Sequence, residues 1–174
     1  MPRRQSLLQQ EIRQRRPFAS IRQEALVGLL KTADVLHRLV SAVVAPRGLT
    51  AQQYNVLRIL RGAGPEGLPT LEIAQRMIEE APGITRLLDR LEAKDLVARQ
   101  RCPQDRRQVV CTINRPGLSL LEELDTPIRT MDEEALGMLS RADLQSLIRS
   151  LDQIRAPQQT RTRNKQTKEK TENA

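Results

Sequence analysis

Apolar residues recur at spacings of three and four positions over three stretches of the chain. Each stretch predicts a helix with one continuous apolar face, because 3.6 residues make one turn. The first helix begins near Ile21 and ends before Pro46 and Gly48, and Ser140 with Asp143 can cap the last. The apolar positions of the three helices are Leu26, Leu29, Ala33, Leu36, Val40 and Val43; Leu121, Leu124, Ile128, Met131, Ala135 and Met138; and Leu144, Leu147, Ile148, Leu151 and Ile154.

Three shorter helices are predicted in the middle of the chain. Thr50 with Gln53 has the spacing of a capping box, and a loop rich in glycine and proline follows this helix. Thr70 can cap a short second helix, and after a break of four residues Pro82 suits the first turn of a third that runs to about Lys94. The residues predicted to point inward are Tyr54, Leu57 and Leu60 in the first of these helices and Ile84, Leu87, Leu88 and Leu91 in the third. The apolar residues of the second are Leu71, Ile73, Ala74 and Met77.

The apolar spacing then changes from helical to alternating. This alternation predicts two short strands around a turn at residues 103–107. Asn114 can cap the long helix that follows, and Pro127 is expected to kink or break that helix. The sequence therefore predicts a mainly α fold with a small β-hairpin. The alternating apolar residues are Leu96, Ala98, Val109, Cys111 and Ile113.

Basic and polar segments flank the predicted domain, which spans residues 19–155. Residues 1–18 form a basic extension with a short helix that Pro17 ends. Residues 156–174 are almost free of apolar side chains, which predicts a disordered basic tail. Most of the net charge of +8 lies in these two segments. Overall basicity therefore does not by itself show that the domain binds a polyanion.

The composition excludes several classes of protein. The chain has one histidine, His37, two cysteines, Cys102 and Cys111, and two aromatic residues, Phe18 and Tyr54. A four-ligand zinc site, a disulfide-rich scaffold and an RNA-binding sheet with stacking rings are therefore excluded. Without a nucleophile–base pair or a phosphate-binding loop, neither enzymatic activity nor a cofactor is expected. No membrane-length apolar run or secretory signal is visible, so we expect a cytoplasmic protein with no membrane partner.

A local cluster of basic residues coincides with the predicted short helices and hairpin. Seven basic and four acidic residues lie between Arg86 and Arg107. Two short helices joined by a tight turn and followed by a basic hairpin are typical of a winged helix-turn-helix. The second helix fits the DNA major groove, and the hairpin tip can reach the adjacent minor groove. A merely solvated charged face is the alternative, and the order of elements favours double-stranded DNA as partner.

Residues 21–155 resemble the MarR family of prokaryotic transcriptional regulators. The run from Ile84 to Arg99 resembles the family's recognition helix and first wing strand. The Asp105-Arg106-Arg107 segment, followed by an alternating strand and Gly117, resembles its wing. The Gly48-Leu49-Thr50 segment resembles the start of its second helix. The order of six helices, with the wing between the fourth and fifth, also fits.

The sequence departs from the family pattern at two places near the recognition helix. Asp95 stands where family members usually have glycine, although aspartate can adopt the left-handed conformation at some cost. The segment at residues 81–83 lacks the serine or threonine often found at the start of the recognition helix. Hydrogen-bonding groups for base recognition are therefore fewer.

The resemblance implies an obligate homodimer with dimerisation helices in residues 20–45 and 115–155 and a winged helix in residues 50–114. The apolar faces of the helices at both ends of the chain are consistent with a dimer, because each face needs a partner surface. The alternative is that a single chain buries part of both faces. The resemblance further implies a repressor of the cytoplasm or nucleoid that binds a pseudo-palindromic operator and is released by a small aromatic ligand. A scaffold whose winged helix binds protein is the alternative.

The resemblance also implies roles for individual residues. Asp89, through an ion pair with a wing arginine, and Asp105 are expected to support the wing. His37, Arg38 and Tyr54 are candidates for the ligand pocket, with ordinary helix-surface and core positions as the alternative. The residues expected to contact DNA are Thr85, Arg86, Arg90, Arg99, Arg106 and Arg107.

The two cysteines flank the wing turn. A turn centred near residues 106–107 would bring Cys102 and Cys111 face to face, so a disulfide could restrain the wing tip. A redox-responsive regulator is therefore a further hypothesis. The alternative is that Cys111 is a buried small apolar residue and Cys102 has no special role.

Overall fold

The computed structural model describes the backbone of residues 6–80, 82–101 and 108–172, and the side chains of these residues up to Ala156. The chain forms two compact units, Met1–Met131 and Asp132–Ala174. The elements in chain order are α1 (Leu7–Glu11), α2 (Ile21–Val44), a 3-10 turn (Ala45–Arg47), α3 (Ala51–Ala63), β1 (Leu68–Pro69), α4 (Thr70–Arg76), α5 (Ile84–Glu92), β2 (Val97–Arg101), β3 (Val109–Ile113), α6 (Arg115–Leu136) and α7 (Arg141–Glu172). The predicted mainly α fold with a small β-hairpin is confirmed.

Local capping signals place most helix starts where the sequence predicts them. Thr50 and Gln53 form the predicted capping box at the start of α3, and Ser140 and Asp143 exchange the corresponding bonds before α7. Thr70 differs from its prediction, because α4 begins at this residue and Pro69 occupies the cap position. The Thr70 hydroxyl instead donates to the carbonyl oxygen of Val109 at 3.4 Å, since a strand immediately precedes the helix.

The sheet has three antiparallel strands in the order β1-β3-β2. Cys111 lies at its centre, with Leu68 opposite on one side and Arg99 opposite on the other. The strand β1 is not predicted by the sequence, because two residues are too few to show an alternating pattern. Gly67 precedes β1 with a φ of +67°, and its α-carbon passes against the Cys111 backbone. A glycine is therefore required there.

The core of the first unit lies between α3, α4, α5, the sheet and α6. Fully buried leucine and isoleucine side chains come from each of these helices, and most are positions that the apolar spacing predicts. Gly117 lets the first turn of α6 approach the Leu96 carbonyl, since a β-carbon there would lie 2.4 Å from its oxygen. The largest fully buried residues are Leu57, Leu60, Ile73, Leu88, Leu91, Leu121, Leu124, Val44, Val56, Val97 and Cys111.

Ion pairs join α6 to the elements at the start of the domain. Arg61 on α3 and Asp125 on α6 form a two-pronged pair in which both N–O distances are 2.9 Å. The hydrogen bonds that Arg61 donates to Asp125 are the main reason that the pKa of the Arg61 guanidinium is raised. Arg47 lies 3.3 Å from Glu123, two residues earlier on α6. These contacts fix the rotation of α6 against α3.

Two predictions about the C-terminal helices differ from the structure. Pro127 lies inside α6 without ending it, so of the predicted kink or break the break is absent. A proline removes one backbone hydrogen bond, and the buried Leu124 and Met131 anchor the helix on both sides of it. Residues 156–172 continue α7 instead of forming the predicted disordered segment. Lysine, arginine, glutamine and glutamate all have favourable helix propensities, which explains this extension. Among the described helices, none has the length and hydropathy needed to cross a membrane.

Candidate nucleic-acid interface

The helix α5 presents a polar face to solvent and an apolar face to the core. Leu88 and Leu91 are fully buried, whereas Thr85, Arg86 and Arg90 are exposed. The helix begins at Ile84 and not at the predicted Pro82, because Gly83 has non-helical angles of φ −115° and ψ 32°. The buried leucines hold α5 in place, and the exposed side chains are accessible to a binding partner.

An ion-pair cluster connects α5 to the wing strand β2. The Arg99 guanidinium lies 2.7 Å from Asp89 and 2.5 Å from Glu92. The ion pair predicted between Asp89 and a wing arginine is therefore present. Arg99 is opposite Cys111 in the sheet and shares its face, so its side chain points toward α5. The predicted DNA contact of Arg99 is not supported by this geometry, because two carboxylates occupy its guanidinium.

Sequence reasoning misses Glu92 in this cluster. Its position one turn after Asp89 on α5 is the available signal, since residues three apart share a helix face. The hydrogen bond from Arg99 is the main reason that the pKa of the Glu92 carboxyl is lowered. A carboxyl with a lowered pKa stabilises the folded state above its ordinary range and loses that contribution as the pH falls through the lowered pKa.

The connection from α5 to β2 depends on Asp95. This residue has a φ of +57°, the left-handed conformation expected from its place in the sequence. The Asn114 side chain donates to the Asp95 carboxylate at 3.0 Å and to its carbonyl at 3.3 Å. These bonds offset part of the strain that a non-glycine residue meets there.

The tip of the wing lies outside the described residues. Cys102, Asp105, Arg106 and Arg107 all fall in this segment. Their predicted roles therefore stay predictions.

Cys111 is fully buried in the middle of the sheet. The strand register places Arg99 opposite it. The predicted face-to-face arrangement with Cys102 stays a prediction, because Cys102 lies outside the described residues. Burial raises the pKa of the Cys111 thiol, and a hydrogen bond with Thr70 only partly offsets this effect. A protonated buried thiol is a poor nucleophile, which disfavours the redox hypothesis.

A pocket of about 480 Å³ lies beside α2, α3 and the turn after α4. His37 and Tyr54 line it as predicted, and His37 Nδ1 lies 2.6 Å from Glu79 Oε1 in that turn. Arg38 does not line the pocket, because it lies on another face of α2 and pairs with Asp34 at 3.1 Å. The remaining lining residues are Ala33, Leu36, Val40, Ala51, Gln52, Asn55, Arg58, Met77, Ile78 and Glu79.

Comparison with known proteins agrees with this arrangement. The model of the MarR family matches residues 49–109, which include α3, α4, α5 and most of the wing. A MarR transcription factor from Planctomyces limnophilus is 43% identical in sequence. The match to its crystal structure covers 78% of this chain and 98% of that chain, with a TM-score of 0.61.

Two more distant proteins share the sequence pattern or the fold. The HTH-type transcriptional regulator MhqR of Bacillus subtilis is 26% identical over 107 residues, 62% of this chain and 72% of that protein. A variant of MarR from E. coli, crystallised with operator DNA, has a TM-score of 0.68 at 22% identity and matches 86% of this chain and 99% of its own. The fold, the helix–wing geometry and the extensive match to the Planctomyces protein together show that the chain belongs to the MarR family of transcriptional regulators.

Proposed function

We propose that this regulator is a homodimeric repressor that binds a pseudo-palindromic DNA operator and is released by a small ligand. The observation that carries the proposal is the construction of α5. Its apolar face is held by Leu88 and Leu91, its end is tied to the wing through Arg99, and Thr85, Arg86 and Arg90 are left exposed. A rigidly held helix with exposed arginines suits insertion into the major groove.

The wing completes the proposed interface. Arginine is attracted into a narrow minor groove by its negative potential, so Arg106 and Arg107 are proposed to contact DNA there. Asp89 and Glu92 bind Arg99, which fixes β2 relative to α5. Helix and wing would then approach two adjacent grooves together, and Asp105 is proposed to shape the turn at the wing tip.

A second copy of the chain is the proposed partner of the apolar residues exposed on the long helices. On α2, Leu26 is 58% and Leu30 is 64% exposed. On α7, Ile148 and Ile154 are also more than half exposed. Apolar rows of this length on a single chain are typical of a subunit interface. Two copies would place two α5 helices at half-sites about one DNA turn apart.

Replacing Leu26 and Leu30 together with glutamate is expected to convert a dimer into a monomer, because the change places charges in a desolvated interface. Sedimentation equilibrium would report the mass. The matched control is Leu71→Glu, the same change at a leucine that is 71% exposed on α4 and outside the proposed interface. A wild-type monomer, or a dimer that tolerates both glutamates, would contradict the dimer proposal.

The pocket supports regulation by a ligand. It lies next to the turn that leads into α5, so a molecule bound there could change the position of that helix. His37 and Tyr54 are proposed to contact the ligand, together with Arg58, which lies over the Tyr54 ring at 5.8 Å. Its apolar walls suit a small molecule with an aromatic or aliphatic body.

Fluorescence polarisation with the DNA upstream of the chain's own gene tests the function. At physiological salt we expect at least about a thousandfold preference over a scrambled duplex, the lower end for specific regulators. The salt concentration must be fixed, because phosphate contacts alone bind any sequence. Equal binding to the upstream duplex, the scrambled duplex and a panel of random-sequence duplexes would contradict the proposal and favour a protein-binding scaffold.

A further inference from the structure

Residues 6–20, which we call the arm, fold against the first half of α2. The Leu8 side chain of α1 reaches Gly28 of α2, where a β-carbon would lie 3.6 Å from Leu8 Cδ2. Phe18, near the end of the arm, is buried. The arm is therefore an ordered part of the first unit and not a free basic tail.

The arm displays a group of arginines from a fixed backbone. Arg13, Arg15 and Arg16 are exposed, and so is Arg22 in the first turn of α2. We call these four residues the arm patch. The Gln14 side chain donates to the Arg16 carbonyl oxygen at 2.9 Å, which holds the chain in place at the centre of the patch. The positive charges therefore have a defined location on the surface.

No acid neutralises the arm patch within the part of the chain whose side chains the structure describes. Its four guanidinium groups have no carboxylate within ion-pair distance, and this includes the acids nearest in sequence, Glu11 and Glu24. Other arginines of this protein do pair with carboxylates. They are Arg38, Arg47, Arg61, Arg76, Arg99 and Arg155. A surface of one sign without its own counter-charges attracts a partner of the opposite sign.

The arm patch is remote from the recognition helix. Both ends of α5 lie near the far end of α2, because the turn before α5 contacts His37 and Lys94 just after α5 donates to the Gly48 carbonyl. Arg22 and His37 lie about 22 Å apart along α2, at a rise of about 1.5 Å per residue. Salt screens charges over about 8 Å at physiological ionic strength. The arm patch therefore adds little to the attraction of a duplex held by α5.

We propose that the arm patch is a second DNA-binding surface, which holds the phosphates of a duplex segment other than the operator. This inference rests on the proposed function, because α5 holds the operator at the same time. Arginine donates to phosphate oxygens in charge-assisted hydrogen bonds, and such contacts are independent of sequence. A regulator with both surfaces joins two segments of DNA, and each dimer carries two arm patches.

Capture of a second duplex tests the proposal. Beads carry the duplex upstream of the chain's own gene, no longer than the operator, and are saturated with the regulator before a labelled scrambled duplex is added. We expect the wild type to capture the label, with an affinity that falls by about three powers of ten for each tenfold rise in salt, since each phosphate contact contributes about 0.9.

The arm variant carries Arg13→Gln, Arg15→Gln and Arg16→Gln together. We expect it to capture about tenfold less of the labelled duplex, because three phosphate contacts are lost. Its occupancy of the operator on the beads should stay within about twofold of the wild type, because the lost charges are screened from that duplex. Circular dichroism and sedimentation confirm the fold and the mass of each variant.

The matched control removes the same charge from exposed positions on α6 and α7, through Arg129→Gln, Arg141→Gln and Arg149→Gln. Its capture should stay within about threefold of the wild type. Equal losses in the two variants, or undiminished capture by the arm variant, would overturn the inference. So would a polyglutamate peptide that competes as well as unlabelled duplex at equal charge, because the patch would then fit acidic proteins.

Binding of the scrambled duplex in solution separates this inference from the proposed function. If the wild type shows no preference for the upstream duplex, yet the arm variant alone loses affinity for scrambled DNA, the proposed function fails and the arm patch is still supported. If the preference is present and the arm variant captures the second duplex like the wild type, the inference alone fails.

Discussion

The Gly67→Ala variant is expected to lose about 2–5 kcal/mol of its free energy of unfolding. An alanine at this position would keep a φ of +67°, which costs a residue with a β-carbon about 1–2 kcal/mol. Its β-carbon would also lie 2.3 Å from the Cys111 carbonyl oxygen and 2.6 Å from the Thr112 side chain. The carbonyl belongs to the central strand, so relief requires β1 to move away from β3, at a cost of about 1–3 kcal/mol.

Chemical denaturation monitored by circular dichroism gives the free energy. Gly62→Ala is the matched control, because Gly62 lies inside α3 and, apart from its chain neighbours and the nearby backbone of α3, no atom of the described residues lies within 4 Å of the position of its β-carbon. That change should be neutral or stabilising by up to about 1 kcal/mol, since alanine favours a helix interior more than glycine. A loss in Gly67→Ala no larger than that in the control would mean that the contact with β3 is not as close as described.

Simultaneous replacement of Arg86 and Arg90 with alanine is expected to weaken operator binding by about 100-fold or more. Each arginine that reaches a base edge contributes about 1–3 kcal/mol, and one that reaches a phosphate lowers the salt dependence of binding by about one unit when removed. Both side chains are exposed on α5, so the change should leave the fold intact. Polarisation titrations at several salt concentrations separate loss of sequence preference from loss of phosphate contacts.

Arg129→Ala provides the comparison for this double variant. Arg129 is an exposed arginine on α6, so its removal changes the net charge without touching α5. We expect a loss of affinity below about threefold from the change in long-range attraction. Comparable losses in the two proteins would show that α5 contributes general charge and no specific contact.

Local patterns predict much of this fold because the responsible interactions are also local. The seam from Leu26 to Val43 and the capping box of Thr50 and Gln53 each depend on residues within a few turns of one another. The strand β1 shows the limit of this approach. Leu68 of this strand pairs with Cys111, more than forty positions away in the chain. No periodicity in the sequence predicts that contact.

The candidate site also has features that depend on local spacing and features that depend on long-range contacts. The exposure of Thr85, Arg86 and Arg90 follows from helical spacing alone. The partnership of His37 with Glu79 spans 42 residues and depends on how α2 meets the turn after α4, so neither residue identifies the other in the sequence. The pocket is lined by Arg58 and not by the predicted Arg38. Both arginines lie on helices, and the sequence alone does not show which of the two faces the pocket.

The Arg99 ion pairs have a consequence for the design of regulators with new DNA targets. Transplanting a complete recognition helix from another family member would remove Asp89 and Glu92 unless the donor carries acids at the same positions, and Arg99 would lose both of its partners. An unpaired, partly buried guanidinium is costly, and the wing would lose its alignment. Retargeting should therefore vary Thr85, Arg86 and Arg90 while positions 89, 92 and 99 are kept as a set. In this protein, the residues proposed to read DNA and the two acids that hold the wing through Arg99 lie interspersed along the same short helix.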